Sequence, residues 1–227
     1  MGGAYASVCP RHEGVQPMSP VLPVAALVVA GYLSGSLLGA VWVCRALGRR
    51  DPRYAGSRNP GFSNVLRVHG AVPAALTLMV DAVKAMPVLW VAQREALPLW
   101  MQGAVGLSVL VGHSYPAWHR GRGGKAVASA FGVLLMIATP VAWVCALCWA
   151  LLAWRSRTAA VASLATALLA PLASYWLARE ATLVVSAFSA LVLVRHAWNI
   201  RRLGQGDEPG IARSSREEDG DVRPPEG

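Results

Sequence analysis

Two glycine-rich segments carry the hydroxyls, amides and cations that could bind an anion. The first runs from Gly56 to Asn64, and the second from Gly112-His113 through Gly121-Arg122-Gly123-Gly124-Lys125. Glycines and small residues let neighbouring backbone N–H groups turn toward one point, as in many phosphate sites, and a hydroxyl or cation adds a further donor. The pattern predicts a phosphate-binding site. The alternative for each segment is a solvated turn, because glycine and proline also punctuate ordinary loops.

Other residues could serve the same chemistry. Arg67 follows the first segment closely enough to supply a fork of donors. Gly123-Gly124-Lys125 is expected to open a helix, whose N-terminus attracts anions. His196 and Asn199 are spaced i, i+3 and would share one face of a helix. Interfacial packing is the alternative for this last pair.

Polar residues inside apolar runs have a simpler interpretation. Asp81 and Lys84 are spaced i, i+3, and a structural ion pair is expected because charges within a membrane are costly unless paired or functional. His113 precedes a proline by three residues, and we expect it to cap or pack rather than do chemistry. Cys145 and Cys148 lie within an apolar run and are expected to be packing thiols.

The composition predicts an all-α, polytopic membrane protein. The chain is 55% hydrophobic and 15% charged, whereas a soluble domain usually carries about 25% charged residues. Its uncharged runs are about as long as a helix needs to cross the hydrocarbon core. The net charge of +9 comes without a nucleic-acid-binding motif, so topology explains it better than nucleic acid does.

Basic loops orient the predicted helices. Six arginines oppose one aspartate between Arg45 and Arg67, and further basic loops follow the third, fifth and seventh helices. Lys and Arg in short loops mark the cytoplasmic side. This predicts seven transmembrane helices, with the N-terminus outside and the C-terminus in the cytoplasm; six helices are the alternative. The expected helices cover about Val21 to Cys44, Val72 to Ala92, Ala96 to Trp118, two between Ala126 and Trp154, Thr158 to Ala178, and Ala181 to Val194.

The same pattern sets the domain boundaries. Residues 1–20 form a polar N-terminal extension, residues 21–203 a single helical membrane domain, and residues 204–227 a cytoplasmic tail expected to be disordered because it is rich in glycine, proline and charge. The first apolar run is longer than the hydrophobic region of a signal peptide, so it is expected to remain as a transmembrane helix.

Several motifs, in order and in register, resemble those of the PlsY-type acyl-phosphate:glycerol-3-phosphate acyltransferases of bacterial membranes. The resemblance extends from Gly31 to about Pro209. The motifs are Tyr32-Leu33-Ser34-Gly35-Ser36; Gly56-Ser57-x-Asn59-x-Gly61-x-Ser63-Asn64-Val65-x-Arg67; Leu78-x-x-Asp81-x-x-Lys84; Gly112-His113-x-Tyr115-Pro116 with Gly123-Gly124-Lys125; Ser163 with Ala170-Pro171-Leu172; and Arg195-His196-x-x-Asn199-Ile200-x-Arg202-Leu203.

The resemblance implies seven helices in the bacterial inner membrane and an active site that faces the cytoplasm. It implies transfer of a fatty acyl group from acyl phosphate to the sn-1 hydroxyl of glycerol 3-phosphate, giving lysophosphatidic acid and phosphate without metal, coenzyme A or acyl carrier protein. The implied catalytic residues are Ser57, Arg67, Lys125, Ser163, His196 and Asn199. Gly56, Asn59, Gly61, Asn64, Gly123 and Gly124 are expected to bind substrate phosphate.

Three positions depart from the family pattern. The family usually has glycine where this chain has Arg58 and Ala126, and serine where it has Ala160. A position that needs positive φ resists a Cβ atom by roughly 1–2 kcal/mol. These departures keep a second hypothesis open, a divergent, non-catalytic membrane protein that binds phosphate or lipid. A transporter is a third class, and it would place broken helices around a midplane site.

Overall fold

The computed structural model describes residues 21–211; the expected N-terminal extension and residues 212–227 of the tail lie outside this range. The described part of the chain consists of helices and connecting segments, without strands, as predicted. The helices are α1 Val21–Gly35, α2 Gly39–Ala46, α3 Phe62–His69, α4 Ala71–Val83, α5 Met86–Arg94, α6 Leu99–Ser114, α7 Val127–Ile137, α8 Thr139–Ser156, α9 Ala159–Leu177, α10 Thr182–Arg195 and α11 Ala197–Gln205.

Three helical stretches among the described residues are long and apolar enough to cross a membrane: Ala71–Arg94, Thr139–Ser156 and Ala159–Leu177. Two bent pairs raise the count to five if each is a single span. These pairs are Val24–Gly35 with Gly39–Ala46, bent by 46°, and Arg179–Arg195 with Ala197–Gln205, bent by 51°. By helix length and composition, the described residues therefore form three to five membrane-spanning helices, fewer than the seven predicted.

The first predicted helix is broken, because α1 ends at Gly35 and α2 begins at Gly39. Non-helical backbone at membrane depth needs partners for its polar groups. Lys84 supplies them, since its Nζ donates to the carbonyl oxygens of Gly35 and Leu37 at 3.1 and 3.0 Å. Asp81 accepts the N–H of Gly39 at 3.0 Å. A continuous Val21–Cys44 helix was therefore wrong, and the predicted Asp81–Lys84 ion pair, confirmed at 2.9 Å, stabilises the break.

The stretch from Ala126 to Trp154 is divided into two helices, as predicted. α7 ends at Ile137 and α8 begins at Thr139, with Pro140 in its first turn. Proline lacks a backbone N–H and fits the first turn of a helix, where that donor has no intrahelical partner. α7 is only 11 residues long.

Small residues bring α1 and α6 into close contact. A Cβ atom on Gly35 would overlap the backbone of Val109, and one on Gly112 would overlap the carbonyl of Tyr32. Such close approach is typical of membrane helices, whose association depends on packing and hydrogen bonds. The larger core cluster, around Leu89, Val105, Leu110, Val133, Val141 and Phe188, lies between α5, α6, α7, α8 and α10.

The tail is ordered further than its composition indicated. α11 continues to Gln205, past the predicted boundary at residue 203, and the chain up to Ile211 packs against the bundle. The N–H of Ile211 donates to the carbonyl oxygen of Arg157 at 2.8 Å, in the turn between α8 and α9. Residues 204–211 thus lie against the bundle through polar contacts rather than through apolar burial.

Candidate active site

The first glycine-rich segment is held in shape by the side chain of Asn64 on α3. The Nδ2 of Asn64 donates to the carbonyl oxygens of Pro52 and Ala55 at 2.9 and 3.1 Å. Its Oδ1 accepts the backbone N–H of Ser57 at 2.8 Å. Both ends of this buried amide are thus committed to the loop. Asn64 presents Ser57 to the site, whereas the sequence suggested a direct phosphate contact.

Two residues of this loop have left-handed backbone conformations. Gly56 has φ 53°, and a Cβ atom there would lie 2.5 Å from the Oδ1 of Asn64. Arg58 has φ 59° at a position where the family usually has glycine. Its side chain is exposed and does not line the cavity described below. The departure at Arg58 therefore strains the backbone without filling the site.

Arg67, also on α3, is buried and bound to the end of the described chain. Its guanidinium donates two hydrogen bonds to the carbonyl oxygen of Gly210, from Nε at 3.0 Å and from Nη2 at 2.5 Å. Its Nη1 lies 3.5 Å from the Oδ1 of Asn64. The predicted fork of donors is present, and the segment after α11 holds its orientation.

The second glycine-rich segment differs from the prediction, because its helix begins at Val127 rather than at the glycines. The N–H of Gly124 donates to the carbonyl oxygen of His113 at 3.0 Å. Arg195 donates to the carbonyl oxygens of Gly124 and Gly123 at 3.1 and 3.3 Å. A Cβ atom on either glycine would overlap His113. The glycines thus let this loop lie close against the end of α6, and the N–H of Gly124 is already engaged.

Ala126 connects this loop to α7 in a left-handed conformation. It has φ 59°, is 1% exposed, and its carbonyl oxygen accepts the N–H of Ala130 at 2.7 Å. Glycine adopts this conformation without the cost that a Cβ atom brings. The sequence departure at Ala126 therefore falls on a position where glycine would be relaxed.

Lys125 has an unusual environment for a cation. Burial is the main reason that the pKa of Lys125 is lowered to about 8, while Glu208 acts in the opposite direction. The positive charges of Arg202, Arg195 and Arg67 lower it further. A dianionic phosphate placed among these groups would relieve their mutual repulsion.

Ser163 contributes a hydroxyl from near the start of α9. Its Oγ accepts the indole N–H of Trp149 at 2.9 Å, which leaves the hydroxyl hydrogen free to point elsewhere. Ala160 lies one turn earlier on the same helix and is 3% exposed. Where the family usually has serine, this chain therefore presents only a methyl group.

His196 and Asn199 lie at the junction of α10 and α11. The Nδ1 of His196 is 2.8 Å from the carbonyl oxygen of Val192, and because a carbonyl can only accept, Nδ1 carries the proton. The Nε2 of His196 is then a free acceptor. Asn199 donates to Oε1 of Glu208 at 2.6 Å, and Oε2 of Glu208 lies 2.9 Å from Nε of Arg202.

One cavity of about 470 Å³ brings most of the predicted residues together. Its lining includes Ser57, Asn59, Gly61, Asn64, Arg67, Lys125, Ser163 and His196. Of the predicted set, Gly56, Gly123, Gly124 and Asn199 lie outside this lining. The same cavity continues between apolar side chains of α7, α8, α9 and α10, among them Phe131, Trp149 and Phe188. The arrangement can hold an anionic head at one end and a hydrocarbon chain at the other.

Sequence reasoning missed the segment after α11. Glu208 and Pro209 line the cavity, and Gly210 accepts from Arg67. The available signal was the acidic pair Asp207-Glu208 directly after a basic helix end, but a Glu-Pro-Gly run is typical of a disordered tail. Within residues 21–211, no group of three or more His, Cys, Asp or Glu side chains is placed to hold a metal ion.

Comparison with known proteins gives the same class of protein. The sequence profile described as glycerol-3-phosphate acyltransferase matches residues 25–206. A glycerol-3-phosphate acyltransferase of Chromohalobacter salexigens is 87% identical over 209 residues, which are 92% of this chain and all of that protein. A protein of the same description from Shewanella baltica is 39% identical over 199 residues, 88% of this chain and 98% of that one.

Solved structures agree. The crystal structure of PlsY, an integral membrane glycerol 3-phosphate acyltransferase, in its glycerol 3-phosphate form has a TM-score of 0.76 and 29% identity, covering 82% of this chain and 94% of that one. Its lysophosphatidic acid form has a TM-score of 0.74 with the same identity and coverage. The fold and the site define a multi-pass membrane acyltransferase. The chain belongs to the glycerol-3-phosphate acyltransferase family.

Proposed function

We propose that this chain transfers a fatty acyl group from acyl phosphate to the sn-1 hydroxyl of glycerol 3-phosphate, a reaction of phospholipid synthesis. The hydroxyl oxygen attacks the acyl carbon, the carbon–oxygen bond to phosphate breaks, and lysophosphatidic acid and inorganic phosphate are formed. The observation that carries the proposal is a cavity in which the buried Arg67 and the partly buried Lys125 adjoin an apolar channel. Both substrates are phosphate anions, and the acyl donor also has a long apolar chain.

The cations and hydroxyls of the cavity form the proposed phosphate site. Arg67 can offer a fork of donors, Lys125 a point charge, and Ser57 and Ser163 hydroxyl hydrogens. Donors that are already oriented stabilise charge that develops on the leaving phosphate without further reorganisation. Because an acyl phosphate is already activated, positioning the two substrates can supply much of the acceleration.

The apolar part of the cavity suits the acyl chain. It follows α9 from Ala160 to Ala170, a distance of about 15 Å along a helix. Apolar walls can hold the chain there by van der Waals contact, as lipid does. The proposed orientation therefore places the acyl phosphate with its head at Ser163 and its tail toward Ala170.

The attacking hydroxyl must lose a proton, and we assign its acceptor to the Nε2 of His196. This nitrogen is unprotonated because Nδ1 donates to Val192, and His196 lines the cavity. A bridging phosphate oxygen is the competing acceptor. The family resemblance places Asn199 in the catalytic set. Here Asn199 binds Glu208, and Glu208 lies against Arg202 in the cation cluster formed by Lys125, Arg67, Arg195 and Arg202.

Seven spans, with the N-terminus outside and the C-terminus and site in the cytoplasm, complete the proposal. α6 and α7, with 16 and 11 residues, would be short transmembrane spans, which a bilayer accommodates by becoming thinner around them. Single cysteines test this in a variant whose own cysteines are serine. The variants are expressed in a bacterium that inserts them into its inner membrane. Glu95→Cys should react with an impermeant maleimide in intact cells, and Arg155→Cys should react only after the cells are permeabilised. The reverse pattern would contradict the orientation.

The donor preference tests the proposed reaction. Purified protein should form lysophosphatidic acid from palmitoyl phosphate and glycerol 3-phosphate, and should form none from palmitoyl-coenzyme A. The product should carry its acyl group at sn-1, which positional lipase digestion reports. Transfer from the thioester at a comparable rate would exclude the phosphate-directed mechanism.

A further inference from the structure

A buried network next to the site contains Asp81, Lys84 and His113, which the catalytic assignment does not use. The Nζ of Lys84 lies 2.9 Å from Oδ1 of Asp81 and 2.7 Å from Nδ1 of His113. Side-chain exposure is 5% or less for all three residues. Asp81 and His113 nevertheless line the same cavity as Lys125.

The contacts of Lys84 determine which nitrogen of His113 carries the proton. A lysine next to a carboxylate at 2.9 Å is an ammonium, and an ammonium can only donate. Its three N–H groups are shared among four acceptors, and the shortest of these contacts, 2.7 Å, is to the Nδ1 of His113, so this nitrogen is assigned as an acceptor. Because a neutral imidazole has one N–H, that proton is on Nε2. An imidazolium is disfavoured, since its Nδ1–H would point at the ammonium.

The Nε2 of His113 lies close to Gly124, which has no Cβ atom to cover this nitrogen. A Cβ atom on Gly124 would overlap this nitrogen. The next residue, Lys125, lines the cavity together with His113. Among the described residues, the Nε2 of His113 has no hydrogen-bond partner. A fixed donor thus belongs to a residue of the cavity wall, beside the loop that carries the partly buried Lys125.

We propose that His113 is a further substrate-binding residue, whose Nε2–H donates to an oxygen of the phosphate or of the reacting carbonyl. The inference rests on the function proposed above. Lys84 acts as a positioning residue, because its hydrogen bond selects the donor tautomer. The two histidines of the site then have opposite roles, since His196 offers an acceptor and His113 a donor.

The amide side chains of asparagine and glutamine separate this role from packing. His113→Asn places an amide near Nδ1 and can still accept from Lys84, but it loses the Nε2 donor. His113→Gln can place a donor near Nε2 and loses the contact with Lys84. If His113 binds substrate, His113→Asn raises KM for glycerol 3-phosphate or acyl phosphate roughly 10- to 100-fold, and His113→Gln raises it less. Wild-type KM and kcat in a folded His113→Asn protein would overturn the inference.

Nitrogen NMR of wild-type protein with ¹⁵N-labelled histidine decides the matter even if these variants do not fold. The histidine signals are assigned from substitutions at the other four histidines. The His113 signals should show a proton on Nε2, and the Nε2 signal should move when inorganic phosphate or glycerol 3-phosphate is added. A proton on Nδ1, or signals that no substrate moves, would refute the role of His113. Lysophosphatidic acid synthesis by the same sample reports separately on the proposed function.

Discussion

The guanidinium of Arg67 holds the carbonyl oxygen of Gly210 with two hydrogen bonds, although 143 positions separate these residues in the chain. The contact closes the cation cluster from the side of the C-terminal segment. It predicts that this segment is part of the working enzyme. Ending the chain after Gly206 removes both Glu208 and Gly210, and should lower kcat/KM by about tenfold or more, since Arg67 and Asn199 lose charge-assisted partners.

A chain that ends after Ile211 is the matched control for that truncation. It keeps every contact of residues 207–211 and should retain near wild-type kcat/KM. Both proteins should be compared by turnover and by thermal unfolding in detergent. Equal activity of the two truncations would show that the segment has no role in the site.

Removing single donors should reduce catalysis without unfolding the protein. Lys125→Ala and Ser57→Ala should each lower kcat by about 10²- to 10³-fold, the usual loss when one oriented donor to developing charge is removed. Arg122→Ala is the control for charge, because Arg122 is exposed on the same loop. It should keep nearly full activity. Wild-type rates for Lys125→Ala and Ser57→Ala would refute the proposed phosphate site.

The lowered pKa of Lys125 gives a pH dependence. A lysine whose pKa is about 8 loses its charge as the pH rises through 8, so kcat/KM for glycerol 3-phosphate should fall above that pH. Glu208 raises the pKa of Lys125, so Glu208→Gln should move the falling limb to lower pH. Steady-state rates between pH 6 and 10 measure both profiles. If the falling limb of folded Glu208→Gln stays at the same pH as that of the wild type, the group that titrates is not Lys125.

Relaxing the two strained positions should stabilise the fold. Ala126→Gly and Arg58→Gly remove the cost of a Cβ atom at positive φ, which is partly offset by the greater freedom of glycine in the unfolded chain. The net gain should be about 0.5–1 kcal/mol for each, seen as a higher Tm in detergent. Ala130→Gly, within α7, is the control and should lower stability by about 1 kcal/mol. A lower Tm for Ala126→Gly would show that Ala126 is not strained.

Much of this architecture follows from the sequence because its causes are local. Pro140 lacks a backbone N–H and therefore favours a helix start at Thr139, and the i, i+3 spacing of Asp81 and Lys84 brings their side chains together on a helix. The break after Gly35 was missed because its cause is distant, an ammonium from α4 that satisfies the carbonyls of α1. Hydropathy counts apolar residues and does not register such a partner.

In the site, too, the sequence indicates features with local causes and not those that depend on distant contacts. Residue types and the family resemblance predicted Ser57, Arg67, Lys125, Ser163 and His196, and the structure places all five in the lining of one cavity. They could not distinguish a group that contacts the ligand from one that shapes the loop, as Asn64 and Gly124 do. That distinction depends on which N–H and carbonyl groups are already paired. For the same reason the sequence did not indicate that Glu208 lines the cavity.

The measurement that tests the central claim most directly is the stoichiometry of the reaction of purified protein with palmitoyl phosphate and glycerol 3-phosphate. Inorganic phosphate and lysophosphatidic acid should appear in equal amounts, without added coenzyme A or metal, and Lys125→Ala should depress both together. A folded wild-type sample that forms no lysophosphatidic acid, or that releases phosphate without acylating glycerol 3-phosphate, would contradict the account.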